Sequence, residues 1–122
     1  MTKNKGKILI IDDSATNVFL LQTLLEEQGY TVLFAYNGNE AIRYINEQKF
    51  DLLLLDIMMP GVDGYDILEK LSSDEGNTPV IMVTAKDDRE SEKKAMDMGA
   101  TDYVTKPVNF EKLIKLVQKY TN

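Results

Sequence analysis

The sequence predicts an α/β protein in which a five-stranded parallel sheet is covered by helices on both faces. Five short apolar segments recur along the 122 residues, and each is followed by a stretch with helical spacing. Three of these segments are continuously apolar rather than alternating, which is typical of strands that are buried on both faces of a parallel sheet. Alternating strands and helices imply right-handed crossovers, and therefore a doubly wound (βα)5 three-layer sandwich.

The five apolar segments are the predicted strands. They comprise residues 7–12, 31–35, 51–56, 79–84 and 102–105. The first, third and fourth contain uninterrupted runs such as Leu52-Leu53-Leu54-Leu55, and we expect them at the centre of the sheet. The second and fifth are weaker, and we expect them at its edges.

The first and last helices are predicted by their apolar positions and by residues that favour helix ends. Val18, Leu21 and Leu25 stand at i, i+3 and i+7 in the first helix, and Gly29 suits the position just beyond its C-terminus. The last helix begins after Asn109, a good N-cap residue, and its apolar stripe consists of Phe110, Leu113, Ile114 and Val117.

The three middle helices have weaker signals. Asn37-Gly38 is a turn or a cap before a helix over residues 40–48. Asp63 or Gly64 opens a short third helix, and a more polar fourth helix ends at Gly99.

The composition excludes several kinds of chemistry. The chain has 43% hydrophobic residues, a net charge of −6, no histidine and no cysteine. Without histidine there is no Ser–His–Asp triad and no imidazole base or ligand. Without cysteine there is no thiol nucleophile, zinc–thiolate cluster or disulfide. Any metal is therefore bound by oxygen, which favours a hard cation such as Mg²⁺ or Ca²⁺.

Length and patterning indicate one domain over residues 1–122, with its core at about 7–119. The basic start is followed by only a short apolar run at 8–11, and no stretch approaches the ~20 apolar residues of a membrane span. We therefore expect a cytoplasmic protein without membrane contact. The acidic balance also argues against direct nucleic-acid contact, which relies on clustered lysine and arginine.

Reactive side chains follow four of the five predicted strands. They are Asp12 and Asp13 after the first strand, Asp56 after the third, Thr84 after the fourth and Lys106 after the fifth. In an open parallel sheet, functional residues gather at the carboxyl ends of the strands. The sequence therefore predicts that three carboxylates, a hydroxyl and an amine meet at one edge of the sheet.

Three carboxylates at one place need a counter-charge, because each like pair at ~4 Å costs about 4 kcal/mol at an effective dielectric constant of ~20. Mg²⁺ would supply this charge and favours a phosphoryl group as a further ligand. Phosphoryl transfer would then use a carboxylate nucleophile. Asp56 is the best candidate because it stands alone at a central strand end, whereas Asp12 and Asp13 form a pair suited to metal binding.

Each of these residues also has a plain structural interpretation. The segment Asp12-Asp13-Ser14 could cap the first helix, and Asp56 could be a polar strand end with satisfied hydrogen bonds. Thr84 alone is typical of a β-branched strand residue, and Lys106 alone of a solvated amine. Their joint occurrence at four strand ends favours the functional interpretation.

Four segments form a recognisable pattern. They are Asp12-Asp13, residues 55–64 (LDIMMPGVDG), Thr84-Ala85 and residues 99–107 (GATDYVTKP). In this order and spacing they closely resemble the receiver domain of two-component response regulators, and the likeness extends over residues 7–119. The resemblance implies a CheY-like, flavodoxin-like fold with strand order 2-1-3-4-5.

The resemblance also implies a role for each site residue. Asp56 would accept a phosphoryl group from a phosphohistidine on a histidine kinase or a histidine phosphotransfer protein. The implied ligands of Mg²⁺, for which Mn²⁺ can substitute, are Asp12 (mainly through water), Asp13, Asp56 and the Met58 backbone carbonyl. The implied phosphate contacts and switch residues are Thr84, the Ala85 backbone, Lys106 and Tyr103, which turns inward in the active state. The Lys106–Pro107 peptide bond is expected to be cis.

The domain would act by switching rather than by turning over a separate substrate. It would catalyse its own phosphorylation and slow dephosphorylation, and its surface around Tyr103 and the last helix would control an output domain or protein. Met58 and Lys86 stand two residues after Asp56 and Thr84. We interpret them as setting the lifetime of the aspartyl phosphate.

Two departures bear on the architecture of the whole protein. Thr101 and the sequence of the last helix differ from the receivers of winged-helix regulators, so a homodimer through the last helices would be weak. Asn17, Asn37-Gly38 and residues 106–108 are more similar to receivers of hybrid histidine kinases, and a stand-alone regulator is the alternative.

Three other functions fit the pattern less well. A carboxylate-nucleophile phosphohydrolase needs Asp-x-Asp, but two residues after Asp56 stands Met58. A flavodoxin-like binder of FMN needs a phosphate loop after the first strand, where Asp12-Asp13 would repel the phosphate. A receiver that acts without phosphorylation usually lacks one of the acids, the threonine or the lysine, and all are present here.

Overall fold

The computed structural model describes residues 5–73 and 78–121, in which five strands and five helices alternate. The strands are β1 (Lys7–Ile11), β2 (Thr31–Ala35), β3 (Leu52–Leu55), β4 (Val80–Thr84) and β5 (Asp102–Thr105). The helices are α1 (Ala15–Glu27), α2 (Gly38–Glu47), α3 (Gly64–Ser73), α4 (Arg89–Asp97) and α5 (Phe110–Thr121). None of the helices in the described residues has the length and apolarity to cross a membrane.

All five strands pair in parallel in one sheet with the order β2-β1-β3-β4-β5. Ile10, for example, pairs with Phe34 on one side and with Leu54 on the other. Every residue of β3 and β4 is buried, whereas the edge strands contain exposed residues such as Thr31 and Thr105. The predicted fold class, the strand order and the two edge strands are therefore confirmed.

Four predicted strand ends lie one residue outside the observed strands. These residues are Asp12, Asp51, Asp56 and Pro79. The backbone N–H groups of Asp12 and Asp56 still donate to carbonyls of neighbouring strands, over 3.1 and 2.9 Å. Sheet pairing therefore continues into both residues and fixes where their carboxylates leave the sheet.

The sheet has a hydrophobic core on each face, because successive side chains of a strand point to opposite sides. Ile8 and Ile10 belong to one core, which packs against α1 and α5 and is called here the α1/α5 core. Leu9 and Ile11 belong to the other, which packs against α2, α3 and α4 and is called the α2/α3/α4 core. The carboxyl ends of the strands are thus held in place by packing on both faces of the sheet.

Most helix ends agree with the prediction. The side chains of Asn37 and Asn109 accept hydrogen bonds from backbone N–H groups in the first turns of α2 and α5, and α3 begins at Gly64. Gly29 and Gly99 follow α1 and α4 with φ values of +100° and +108°, a conformation that favours glycine.

One residue of the predicted apolar stripe of α5, Phe110, is 43% exposed. Phe110 is the first residue of α5, beyond the layer in which Leu113 and Val117 are buried. Its helical spacing places it on the correct side of the helix, but the sheet no longer covers it at that height.

Candidate functional site

Three carboxylates meet at the carboxyl edge of the two central strands β1 and β3. Asp12 and Asp13 follow β1, Asp56 follows β3, and one oxygen of each lies within 4.8 Å of the others. Asp12 and Asp56 are 3% and 5% exposed, whereas Asp13 is open to solvent. The cluster thus combines two buried acids with one accessible acid.

Lys106 supplies a positive charge to this cluster. Its Nζ lies 2.8 Å from Asp12 Oδ2 and 2.9 Å from Asp56 Oδ2. Burial lowers the pKa of Lys106, but the hydrogen bonds to Asp12 and Asp56, together with the negative charges of these acids, outweigh burial and hold the pKa above its ordinary value. Three carboxylates and one ammonium leave a formal charge of −2, so the repulsion between the acids is only partly relieved.

Each buried acid is also oriented by the backbone that follows it. Asp12 Oδ1 accepts the Ser14 N–H at 2.9 Å, and Asp56 Oδ1 accepts the Met58 N–H at 3.1 Å. Ser14 is itself the N-cap of α1, since its side chain accepts the Asn17 N–H. The capping interpretation of Asp12-Asp13-Ser14 is therefore correct for Ser14, while Asp12 faces the acidic cluster.

The start of α3 packs against the backbone of Asp56. A Cβ atom on Gly64 would lie 2.4 Å from the Asp56 carbonyl oxygen, so only glycine permits this approach. The Gly64 N–H donates to the Ile57 carbonyl at 3.1 Å. Asp63 and Asp66 also accept each other's backbone N–H, at 3.1 and 3.2 Å. Helix α3 thus fixes the loop that begins at Asp56.

Thr84 and Tyr103 both contact the backbone of Lys86 in the loop between β4 and α4. Thr84 is fully buried, and its Oγ1 accepts the Lys86 N–H at 3.3 Å. The Tyr103 hydroxyl donates to the Lys86 carbonyl at 2.6 Å. Burial, with a further contribution from neighbouring Tyr65, raises the pKa of Tyr103 to about 12. The two predicted switch residues are therefore linked through one residue of this loop.

The end of β5 brings Lys106 to the site. Its backbone N–H donates to the Thr84 carbonyl at 2.8 Å, which continues the pairing of β4 with β5. The Lys106–Pro107 peptide bond is cis. The structure thus brings together the acids, the amine and the threonine that the sequence places at four separate strand ends.

A groove of about 410 Å³ lies along the loop that follows Asp56 and is lined by Met58, Tyr65 and Lys86, among others. Met58 is 54% exposed, and Lys86 is partly buried. Tyr65, which the sequence analysis missed, donates from its hydroxyl to the Ser91 carbonyl in α4 at 3.2 Å. Nothing in the spacing of Tyr65 distinguishes it from an ordinary apolar position of α3.

An apolar surface next to Lys106 was also missed. Leu20 and Phe110, which are 45% and 43% exposed, line a groove of about 190 Å³ together with Lys106 and Pro107. A signal for it exists, because the run Val18-Phe19-Leu20-Leu21 is wider than one core-facing stripe requires.

The sequence matches the family of response regulator receiver domains over residues 8–118, and the chain belongs to this family. It is 40% identical over 114 residues to the uncharacterized transcriptional regulatory protein YkoG of Bacillus subtilis, covering 93% of this chain and 50% of YkoG. It is also 40% identical over 114 residues to the protein PilH of Pseudomonas aeruginosa, covering 92% of this chain and 94% of PilH.

A solved structure has the same fold. The receiver domain of the Francisella response regulator 1452 superposes with a TM-score of 0.90 at 34% identity, covering 95% of this chain and 96% of that one. The chain is therefore a signalling domain of two-component, phosphorelay systems, which connect kinases to output partners. It spans half the length of YkoG but nearly all of PilH.

Proposed function

We propose that Asp56 is the phosphoacceptor and takes its phosphoryl group from a phosphohistidine on a partner protein. The observation that carries this proposal is the position of the buried Asp56 carboxylate, which is paired with Lys106 at 2.9 Å and grouped with the other two acids within 4.8 Å. The chain has no histidine and cannot form a phosphohistidine of its own. The proposed unit is a single domain over residues 1–122, with its core at about 7–119.

In the proposed transfer, a carboxylate oxygen of Asp56 attacks the phosphorus atom. The P–N bond of the phosphohistidine breaks, its electron pair stays on the imidazole nitrogen, and an acyl phosphate forms on Asp56. Lys106, already at hydrogen-bond distance from Asp56, is placed to pair with the phosphoryl oxygens. In the slow dephosphorylation, water attacks the phosphorus, the P–O bond to Asp56 breaks, and inorganic phosphate leaves.

The acidic cluster fits a hard divalent cation, because its donors are oxygens, one acid is accessible and a charge of −2 remains beside Lys106. We assign it to Mg²⁺, with Mn²⁺ as a substitute. The ligands in this proposal are Asp13, Asp56 and the Met58 carbonyl, with Asp12 acting through water. When bound, the cation would neutralise the carboxylates and the phosphoryl oxygens.

Phosphorylation is proposed to act on the loop after β4. The Thr84 hydroxyl and the Ala85 N–H would turn toward the phosphoryl oxygens, which would displace the neighbouring Lys86. The Tyr103 hydroxyl donates a hydrogen bond to the Lys86 carbonyl. Since Tyr103 belongs to β5, the displacement of Lys86 would be transmitted to that strand. The expected result is a two-state surface around Tyr103 and α5 that controls an output domain or protein.

Met58 and Lys86 are proposed to set the lifetime of the aspartyl phosphate. The Met58 N–H donates to Asp56 Oδ1 at 3.1 Å, and both residues line the groove along the loop that follows Asp56. Met58→Asn should speed hydrolysis, because an amide can hydrogen-bond an attacking water and a thioether hardly can. The decay of the phosphoryl adduct after removal of the donor measures the rate. The control is Met96→Asn, which changes an exposed methionine on α4. An unchanged rate in Met58→Asn contradicts the proposal.

The protein that donates the phosphoryl group is proposed to dock on the apolar groove beside Lys106. This groove shares Lys106 with the acidic cluster, so a partner seated on Leu20 and Phe110 lies next to Asp56. Leu20→Ser should slow transfer from a phosphorylated histidine phosphotransfer protein several-fold, but leave transfer from acetyl phosphate unchanged. Equal slowing with both donors, or none, speaks against this docking surface.

A homodimer through α4 and α5 is proposed to be weak. Charged residues on these helices pair within their own helix, Lys93 with Asp97 at 3.9 Å and Lys115 with Glu111 at 4.0 Å. Both pairs are exposed and contribute little, so the proposal rests on the departures at Thr101 and in the sequence of α5. Sedimentation should show a monomer that associates only at high concentration after phosphorylation.

The resemblance at Asn17, Asn37-Gly38 and residues 106–108 extends the proposal to the receiver of a hybrid histidine kinase, with a stand-alone regulator as the alternative. We place either form in the cytoplasm, where the ATP that feeds histidine kinases is made. An antibody against this domain distinguishes the two forms in cell extracts, because a stand-alone regulator would migrate near the 13.8 kDa of this chain.

The central experiment is intact-mass analysis after incubation with acetyl phosphate and Mg²⁺. One labile phosphoryl adduct is expected, and it should vanish in Asp56→Asn and after chelation of the metal. The control is Asp51→Asn, at the opposite end of β3, which should be phosphorylated normally. An unchanged wild-type mass under conditions that label another receiver would overturn the proposed function.

A further inference from the structure

Helix α4 is held to the domain by few apolar side chains. The only residues that it buries are Ser91 and Ala95, whereas α5 buries Leu113 and Val117. Since the stability gained by burial scales with apolar area, the packing of α4 contributes less than that of α5. Polar contacts at the start of α4 therefore have a larger share in fixing its position.

Tyr65 provides two such contacts from the side of α3. Its hydroxyl donates to the Ser91 carbonyl at 3.2 Å, and the Lys94 ammonium lies 4.1 Å from the centre of its ring. Ser91 and Lys94 are three residues apart and lie on the same side of α4, so one tyrosine holds a full helical turn. The ring itself packs against the α2/α3/α4 core.

Tyr65 is also connected to the acceptor through the backbone. It follows Gly64, whose Cα is pressed so closely against Asp56 that a Cβ atom would lie 2.4 Å from the Asp56 carbonyl oxygen. Contacts therefore run without interruption from the backbone of Asp56 through Gly64 and Tyr65 to Ser91. Tyr103 contacts the same segment at a second point, because its hydroxyl donates to the Lys86 carbonyl in the β4–α4 loop.

We propose that Tyr65 is a second switch tyrosine: a positioning residue that, together with Tyr103, holds the β4–α4 segment in its resting arrangement. The inference rests on the proposed function of Asp56. The hydrogen bond of Tyr65 to Ser91 exists while Lys106 is paired with carboxylates and Thr84 with Lys86. When Thr84 and Ala85 turn toward a phosphoryl group, the segment that carries Ser91 shifts and this bond is released.

The test uses beryllofluoride with saturating Mg²⁺ as a mimic of the phosphoryl group, with binding followed by two-dimensional NMR of the backbone amides. Tyr65→Phe removes only the hydroxyl. By linkage, loss of a bond made only in the resting form should tighten beryllofluoride binding by about 2- to 10-fold, the factor that one ordinary hydrogen bond represents. Lys94→Met, which removes the cation and keeps a long side chain, should act in the same direction by a smaller factor.

The matched control is Tyr44→Phe. Tyr44 also packs against the α2/α3/α4 core and has the Arg43 cation 5.6 Å from its ring centre, but it lies on α2. It should leave beryllofluoride affinity unchanged. Hydrogen exchange without beryllofluoride is a second measurement, in which Tyr65→Phe should accelerate exchange of the α4 amides and leave α5 unaffected.

The outcomes separate this inference from the proposed function. If the wild type responds to beryllofluoride but Tyr65→Phe binds it equally or more weakly, the role of Tyr65 is wrong and the acceptor role of Asp56 stands. If Tyr44→Phe tightens binding as much as Tyr65→Phe, the effect is general loosening of the core and the inference is likewise overturned. If the wild type does not respond at all, the proposed function fails and the inference fails with it.

Discussion

The helices on the two faces of the sheet contribute different kinds of side chain to the core. The α1/α5 core is filled by large aliphatic side chains from its helices, such as Leu21, Leu25 and Leu113. The α2/α3/α4 core receives alanines from α2 and α4 and completes its outer layer with the partly buried rings of tyrosines such as Tyr65 and Tyr103. Tyrosine hydroxyls form hydrogen bonds on both faces. Those of Tyr30 and Tyr120 pair with the side chains of Thr121 and Asp102, whereas those of Tyr65 and Tyr103 donate to the backbone carbonyls of Ser91 and Lys86 in and before α4.

The difference suggests a division of labour. Aliphatic packing is non-directional and has no second arrangement of equal energy nearby, so it suits a fixed support for the strands. A tyrosine hydroxyl can leave one carbonyl for another partner or for water at modest cost, so it suits an element that must move. The α4 side is accordingly where we expect the switch, and five predictions examine this contrast.

The largest effect is expected from truncating the fixed face. Leu113→Ala, in a fully buried residue of α5, should lower the free energy of unfolding by about 2–5 kcal/mol. Ala95→Gly, in the fully buried alanine of α4, should cost only about 1–2 kcal/mol. Urea denaturation measures both losses of unfolding free energy, provided that the slope of this free energy against urea concentration is the same as in the wild type.

Leu68→Ala tests whether weak anchoring is a property of helix α4 alone or of every helix on this face of the sheet. Leu68 belongs to the α2/α3/α4 core through α3, and its truncation should cost as much as that of Leu113. If Ala95→Gly were as costly as either leucine truncation, α4 would be anchored as firmly as α5 and the contrast would fail.

A smaller, local effect is expected from removing helix caps. Asp88 Oδ2 accepts the Ser91 N–H of α4 at 3.0 Å, and Asn109 Oδ1 accepts the Lys112 N–H of α5 at 3.0 Å. Asp88→Ala should raise hydrogen exchange throughout α4, because so few buried side chains restrain it. Asn109→Ala should affect only the first turn of α5. If the acceleration of hydrogen exchange extended equally far along both helices, α4 would not be more weakly anchored than α5.

The cap of α4 should also depend on pH. Hydrogen bonds from the backbone and side chain of Ser91 lower the pKa of Asp88 from its ordinary value of 3.8. A lowered pKa in the folded state means that the stabilisation is fully present above pH 3.8 and is lost as the pH falls through the lowered value. The difference in α4 protection between wild type and Asp88→Ala should therefore disappear in acid.

The smallest expected effect is spectroscopic. Burial raises the pKa of Tyr103 from 10.0 to about 12, so the neutral phenol favours the folded state below pH 10.0 and this contribution is lost as the pH rises toward 12. An ultraviolet titration should show one phenol ionising near 12, and Tyr103→Phe should remove that step. Tyr36→Phe, which removes an exposed phenol, should leave it in place. A persisting step in Tyr103→Phe would show that Tyr103 is not the phenol with the raised pKa.

Most of the fold and the centre of the site could be predicted from the sequence for local reasons. Four-residue apolar runs such as that of β3 have few alternatives to a buried strand, and parallel strands necessarily bring their carboxyl ends to one edge. Asp12, Asp56 and Lys106 each stand next to a strand, so strand order alone brings them together. Caps such as Asn37 and Asn109 are equally local, because each bonds within its own helix.

What could not be predicted depends on how far neighbouring elements extend. Helical spacing gives the side of a helix but not the height at which the sheet stops covering it, which is why Phe110 is exposed. The contact of Tyr65 with Ser91 joins two helices that are not adjacent in sequence, and a hydroxyl at an otherwise apolar position gives no sign of its partner.

The ion pair between Lys106 and Asp12 joins residues 94 positions apart, across strands made at the beginning and near the end of the domain. On the ribosome, Asp56 emerges long before the lysine that completes its surroundings. A nascent or half-folded domain would therefore offer an acceptor without its cation partner and would compete poorly for phosphoryl groups. Under the proposed function, the capacity to be phosphorylated therefore belongs to the completely folded domain, because only there does Lys106 lie beside Asp56.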